Sequence, residues 1–182
     1  MGQINRGHKI QMKPPNLPTP LVQPFRIMFV CLGNICRSPA AQGVMESLVR
    51  AHSLETQIEV DSAGTARYHI ARLPDARMVS TAAKRGYKLE SLAKGFTKTH
   101  VADRQLVVAM DRDNYAEILR VSGTESGHRG HIRKLSDYLN ATWPRDVPDP
   151  YYGGEAGFEY VLDMLEQACP KILAECMQWT SP

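Results

Sequence analysis

The chain predicts an α/β fold: a single domain with a central parallel sheet of about four strands and helices on both faces. Three observations lead there. From Phe25 onward, short apolar runs alternate with longer segments of helical periodicity, the pattern of strands joined by crossover helices. The 182 residues suffice for one sizeable core. No internal repeat or compositional break divides residues 25–180, so one domain is expected there, behind a tail of residues 1–24.

The tail holds Pro14, Pro15, Pro18, Pro20 and Pro24, few large apolar residues and no acidic residue before Glu46. Such a segment reads as disordered or extended. Its basic, acid-free start has the character of an organelle transit segment or of an ordinary leader. Phe25 to Val30 follows as the first strand, its apolar run entering a glycine-containing loop. Ser38 suits an N-cap and Pro39 a first helical position, so a helix is expected from Pro39 to about His52, with Ala40, Ala41, Val44 and Leu48 inward. Ile58 to Asp61 reads as the second strand. Pro74 to Arg85 reads as a helix stopped by Gly86. A short helix over Thr99 to Arg104 leads to a buried third strand, Leu106 to Met110. Asn114 to Val121 is the next helix, Ser122 to Gly130 a polar loop, and His131 to Leu135 a fourth strand. Glu155 to Met177 forms a long helix that Pro170 is expected to kink or divide.

Composition narrows the function classes. Hydrophobic residues make up 43% and charged residues 23%, ordinary values for a globular protein. The formal net charge of +3 lacks the clustered basic stripe of a nucleic-acid binder, and no apolar stretch is long enough to cross a bilayer. Cys31, Cys36, Cys169 and Cys176 form no Cys-x-x-Cys pair and have no histidine at ligand spacing, which argues against two disulfides or zinc. Cys169 and Cys176, seven apart, share a helical face as fillers. With no signal peptide evident, a reducing, cytoplasmic setting is expected.

The chemistry concentrates in Cys31-Leu32-Gly33-Asn34-Ile35-Cys36-Arg37-Ser38. A loop between a strand end and a helix start gathers backbone N–H groups and the positive end of the helix dipole. Gly33 allows close approach to a ligand, and Asn34 tolerates a left-handed conformation. Arg37 supplies a planar fork for two phosphate oxygens. A cysteine in that field ionises readily and becomes a nucleophile. On spacing alone, Cys31 reads equally as a small core hydrophobe. The strand, glycine, cap and proline around it favour catalysis.

Val30 to Pro39 resembles the signature of the low-molecular-weight protein tyrosine phosphatases. Three further matches follow in the same order: Asp61-Ser62-Ala63-Gly64-Thr65, Ala109-Met110-Asp111, and Asp149-Pro150-Tyr151-Tyr152-Gly153. The resemblance spans Phe25 to Cys176. It implies hydrolysis of phosphotyrosine in proteins, and of small aryl phosphates, through a phosphocysteine on Cys31. Arg37 and the amides of Leu32, Gly33, Asn34, Ile35 and Cys36 would hold the phosphate, so no metal or other cofactor is expected. Ser38 would hydrogen-bond the sulfur. Asp149, on a loop restricted by Pro148 and Pro150, would serve as general acid and then base, with Asp146 as its alternative. Ser62 and Asn34 would brace the loop, and Asp111 would cap the turn after its strand. Leu32, Tyr68, Tyr151 and Tyr152 would wall the cleft against an aromatic substrate. Family members often carry a histidine in the bracing network. Here that region reads Lys88-Leu89-Glu90-Ser91-Leu92, and Ser91 is the candidate replacement.

The same resemblance admits rivals. Arsenate reductases of this fold use further downstream cysteines, and none lies between Cys36 and Cys169. Protein arginine phosphatases tend to carry Thr where this chain has Ile35. A non-catalytic phosphotyrosine-binding module would lack the nucleophile or the acid. Cys36 could trap oxidised Cys31 as a disulfide, or simply pack under the loop. The partners expected are phosphotyrosine-containing proteins, with no nucleic acid and no membrane span, and the chain acting as a monomer or weak dimer.

Overall fold

Residues Phe25 to Cys31 form strand β1, whose side chains alternate between two cores. In the computed structural model, which describes residues 23–123 and 131–180, Phe25, Ile27, Phe29 and Cys31 enter one core while Met28 and Val30 enter the other. Every residue of β1 except Arg26 is buried, as expected for a central parallel strand covered on both faces. Strands β2 (Ile58–Gly64), β3 (Leu106–Ala109) and β4 (Ile132–Lys134) complete a four-stranded sheet in the order β2-β1-β3-β4, with all pairs parallel.

Helices α1 (Arg37–Ala51), α2 (Ala76–Lys84) and α5 (Glu155–Thr180) cover the first face, contributing Val44, Met78 and Phe158 among others. Helices α3 (Lys98–Asp103) and α4 (Arg112–Ser122) cover the second through Val101 and Ile118. Each large side chain buried this way contributes about 1.5–3 kcal/mol. The predicted sheet and two-sided helix cover are therefore present. Most of the tail expected over residues 1–24, and part of the polar loop after Ser122, lie outside the described residues.

Four local expectations need correction. Helix α1 begins at Arg37, so its N-cap is Cys36, without a side-chain cap bond; Ser38 and Pro39 fall inside the first turn. Pro39 fits there because first-turn amides have no intrahelical acceptor, and the Ser38 hydroxyl is used in the loop instead. Helix α5 runs without division through Pro170, whose exposed ring sits on the solvent side. Strand β2 extends past Asp61 to Gly64, and a 3-10 turn at Leu135–Tyr138 replaces the end of the expected fourth strand.

Register sets up the site. Cys31 pairs with Gly64 on one side, and Val30 with Ala109 on the other, so three strands end at one level. The chain leaves β1 toward neighbours on both sides. That is the switch point where open parallel sheets place ligands.

Candidate active site

Cys31 closes β1, and the chain then curls through Leu32 to Cys36 into α1. Asn34 makes the curl possible with a left-handed φ of 56°. Its side chain holds that conformation from both ends. The Asn34 amide nitrogen donates to Ser38 Oγ and Ser62 Oγ, each at 2.9 Å, and its carbonyl accepts from the Lys94 N–H at 2.9 Å. Its backbone N–H lies 3.3 Å from Cys31 Sγ, and Ser38 Oγ lies 3.1 Å from the same sulfur. The end of β2 pins the loop from outside, where Thr65 and Ala66 donate to the carbonyls of Cys31 and Leu32 at 2.9 and 2.8 Å. Gly64 is required at this contact, because a Cβ there would lie 2.8 Å from the Leu32 carbonyl oxygen. Among the described residues, the amides of Gly33, Ile35 and Cys36 make no hydrogen bond. With the first-turn amides of α1 they form a nest for an anion.

Arg37 is buried at 3% exposure. Its Nη1 donates to Asp111 at 2.6 Å and to the Val147 carbonyl at 3.1 Å, and its Nη2 donates to Asp149 at 2.9 Å. Burial works against the guanidinium charge, but Cys31, Asp149 and Asp111 outweigh it and raise the pKa. Of the five guanidinium donors, those on Nε and the second on Nη2 have no partner among the described residues. Two donors on adjacent nitrogens match two phosphate oxygens.

Asp111 caps α4, as its sequence position suggests, by accepting from the Asn114 N–H at 2.7 Å. Its other oxygen anchors Arg37, and the Asn114 side-chain amide, turned toward it, lies 2.9 Å from both oxygens. Asp146 accepts from the backbone N–H and Nε of Arg112 at 2.8 and 2.9 Å, outside the cleft that holds Cys31. The sequence alternative for the acid is therefore occupied elsewhere, whereas Asp149 stands in the cleft wall.

A cleft of about 130 Å³ opens over the sulfur, lined by Cys31, Leu32, Gly33, Ile35, Cys36, Arg37, Tyr68, His69, Asp149, Tyr151 and Tyr152. Tyr151 meets Tyr152 edge-on at 5.0 Å, and the Arg77 guanidinium lies 5.4 Å from the Tyr151 ring centre. Tyr68 and Tyr152 are 79% and 94% exposed, so an entering aromatic group gains contacts they do not have internally. Cys36 packs beneath the loop. Burial, with Asp75, Cys31 and Asp149 adding to it, pushes its thiol far above the ordinary range, so it stays protonated at neutral pH. Cys169 and Cys176 are fully buried core residues, and all four cysteines are free thiols.

The structure does not bring Ser91 into the bracing network. Ser62, fully buried behind the loop, donates instead to Gln42 Oε1 at 2.7 Å. The sequence reading missed Gln42 and His69. Gln42 lies on α1, eleven positions beyond the nucleophile, and carries no motif. His69 adjoins the expected Tyr68, and that adjacency was its one signal.

The chain is similar to known proteins in sequence and in fold. Residues 26–180 match the family model described as low molecular weight phosphotyrosine protein phosphatase. A Synechocystis protein named, provisionally, as a low molecular weight protein-tyrosine-phosphatase is 45% identical over 149 residues, covering 82% of this chain and 94% of that one. A crystal structure of a protein tyrosine phosphatase from Entamoeba histolytica superposes with a TM-score of 0.81 at 38% identity, covering 86% of this chain and 99% of that one. A Drosophila arginine phosphatase superposes with a TM-score of 0.76 at 26% identity, covering 82% and 96%.

Proposed function

This chain belongs to the low molecular weight phosphotyrosine protein phosphatase family, and from that premise we propose that it hydrolyses phosphotyrosine in proteins through a phosphocysteine on Cys31. One observation carries the reading. The Cys31 sulfur sits at the carboxyl end of the central strand, with the Arg37 fork beside it and Asp149 in the wall of the same cleft.

The chemistry follows from these groups. The phosphate dianion settles on the amide nest and takes up the two remaining donors of Arg37. Asp149, in the cleft wall beside them, carries the proton for the leaving group. Cys31 Sγ attacks phosphorus, the S–P bond forms and the ester P–O bond breaks. Asp149 gives its proton to the departing phenolate. Water then attacks phosphorus, Asp149 takes the proton, and the S–P bond breaks to release phosphate. Ser38 Oγ donates to the sulfur and stabilises the leaving thiolate. Arg37, the amides and the helix dipole meet the growing charge, the main contribution to phosphoryl transfer.

The hydrophobic Ile35 beside the sulfur offers no hydroxyl to a guanidinium, which favours phosphotyrosine over phosphoarginine. Tyr68, Tyr151, Tyr152 and Leu32 supply flat apolar walls for the aromatic ring. Action in the cytoplasm as a monomer or weak dimer belongs to the same proposal. Among the described residues no helix is long and apolar enough to cross a membrane.

The test is hydrolysis of an aryl phosphate in EDTA. Cys31→Ser should abolish turnover. Asp149→Ala should slow phosphotyrosine hydrolysis roughly 10²-fold or more, and a substrate with a very good leaving group much less. Unchanged turnover in Cys31→Ser would refute the reading.

A further inference from the structure

A line of hydrogen bonds runs from the phosphate loop along one face of α1. Glu46 Oε1 accepts from Gln42 Nε2 at 2.8 Å, and Gln42 Oε1 accepts from Ser62 Oγ at 2.7 Å. Ser62 Oγ accepts from Asn34 Nδ2 at 2.9 Å, the same nitrogen donates to Ser38 Oγ at 2.9 Å, and Ser38 Oγ lies 3.1 Å from Cys31 Sγ. Gln42 and Glu46 are one helical turn apart on α1 and half-buried, whereas Asn34, Ser38 and Ser62 are almost completely buried.

The direction of every bond in this line as far as Ser38 is determined. A carboxylate only accepts, so Gln42 turns its nitrogen to Glu46 and its oxygen to Ser62. Ser62 has one proton, which goes to Gln42, leaving its lone pairs for Asn34. The Asn34 amide is fixed in the same sense on its other side, where its oxygen takes the Lys94 N–H at 2.9 Å. Asn34 therefore donates both amide protons, one of them to Ser38. The single Ser38 proton is left to choose between the Cys31 sulfur and the Ala63 carbonyl at 3.3 Å, and an ionised sulfur is the stronger acceptor.

We propose that Gln42 and Glu46 are positioning residues for the reaction: they orient the Ser62–Asn34–Ser38 hydrogen bonds so that the last one is donated to the Cys31 thiolate. The proposal rests on Cys31 being the nucleophile. Reversing the polarity at the far end exposes it. In Glu46→Lys the new ammonium only donates, so the Gln42 oxygen turns toward it and the nitrogen faces Ser62. The Ser62 proton then has no acceptor in a fully buried site, or Asn34 turns and sets its nitrogen against the Lys94 N–H. Either outcome loosens Asn34 and Ser38 around the sulfur.

The experiment compares wild type with Glu46→Lys, Glu46→Gln and Gln42→Met. Each is followed by the pH dependence of iodoacetamide labelling at Cys31, the pH profile of aryl phosphate kcat/KM, and thermal unfolding. In Glu46→Lys and Gln42→Met, the labelling midpoint and the acid limb of the profile are expected to move to higher pH, with kcat/KM falling roughly tenfold. Glu46→Gln keeps an acceptor and should restore wild-type behaviour. An added positive charge acting only through space would favour the thiolate and move the midpoint the other way. Labelling and pH profiles in Glu46→Lys and Gln42→Met that superimpose on wild type, or a midpoint that falls, overturn the proposal. Labelling needs no turnover, so it decides the relay independently of the hydrolysis assay that decides the functional reading.

Discussion

Arg37 shows how one side chain serves two tasks. Three of its donors are committed to Asp111, Val147 and Asp149, which fix the guanidinium plane, and two remain to receive phosphate. Lysine offers one point charge and no fork, so Arg37→Lys should lower kcat/KM roughly 10²–10³-fold, measured with an aryl phosphate, while unfolding stays cooperative. Cys36 tests the field around the loop from the other side. Its thiol is held far up the pH scale by burial, with Asp75, Cys31 and Asp149 adding to it. Iodoacetamide at neutral pH should therefore label Cys31 and leave Cys36 unmodified, read by peptide mass; equal labelling would contradict the burial argument. Cys31, Arg37 and Asn34 could be read from sequence because their spacing, residue types and resemblance to a known family agree. The partners of Arg37 could not be read the same way. Asp111 and Asp149 lie 74 and 112 positions away; the first follows β3 beside β1, and the loop of the second is tied there by the Val147 N–H donating to the Met110 carbonyl.

The loop is held as much by the end of β2 as by α1. Gly64 stands where any side chain would meet the Leu32 carbonyl and the Gly33 backbone. Gly64→Ala should move that backbone and lower kcat/KM at least tenfold, with a smaller change in the Ki for inorganic phosphate than in kcat; normal turnover would contradict the close-contact reading. Sequence reading ended β2 at Asp61 because the residues after it are small and polar, yet Ser62 to Gly64 continue the ladder opposite Phe29 to Cys31. It started α1 too late because Ser38 has the character of a cap. Its hydroxyl is instead claimed by Asn34 and the sulfur, a tertiary demand that overrides local preference.

For the whole molecule, alternating strands and helices gave the sheet and its two covered faces, because a parallel strand buried on both sides has few other solutions. The 3-10 turn after β4 and the unbroken passage of α5 through Pro170 depended on packing that local patterns do not carry. Electrostatics also ties distant elements together. Asp61 of β2 accepts from Lys94 Nζ at 2.5 Å and from Arg104 at 3.1 Å. Burial alone would raise its pKa, but these hydrogen bonds and charges win and lower it. The unfolded chain therefore binds this proton more readily than the folded one. The resulting stability is present above the ordinary aspartate range and is lost as pH falls through the depressed folded value. Asp61→Asn should flatten stability against pH between neutrality and pH ~3, measured by urea unfolding; an unchanged slope would contradict the assignment. The central claim concerns one covalent bond. Wild type mixed with excess aryl phosphate, quenched in denaturant within a turnover and digested, should yield a phosphate adduct on the peptide containing Cys31, absent in Cys31→Ser. Turnover with no adduct at Cys31, or with the phosphate on another residue, would contradict the account.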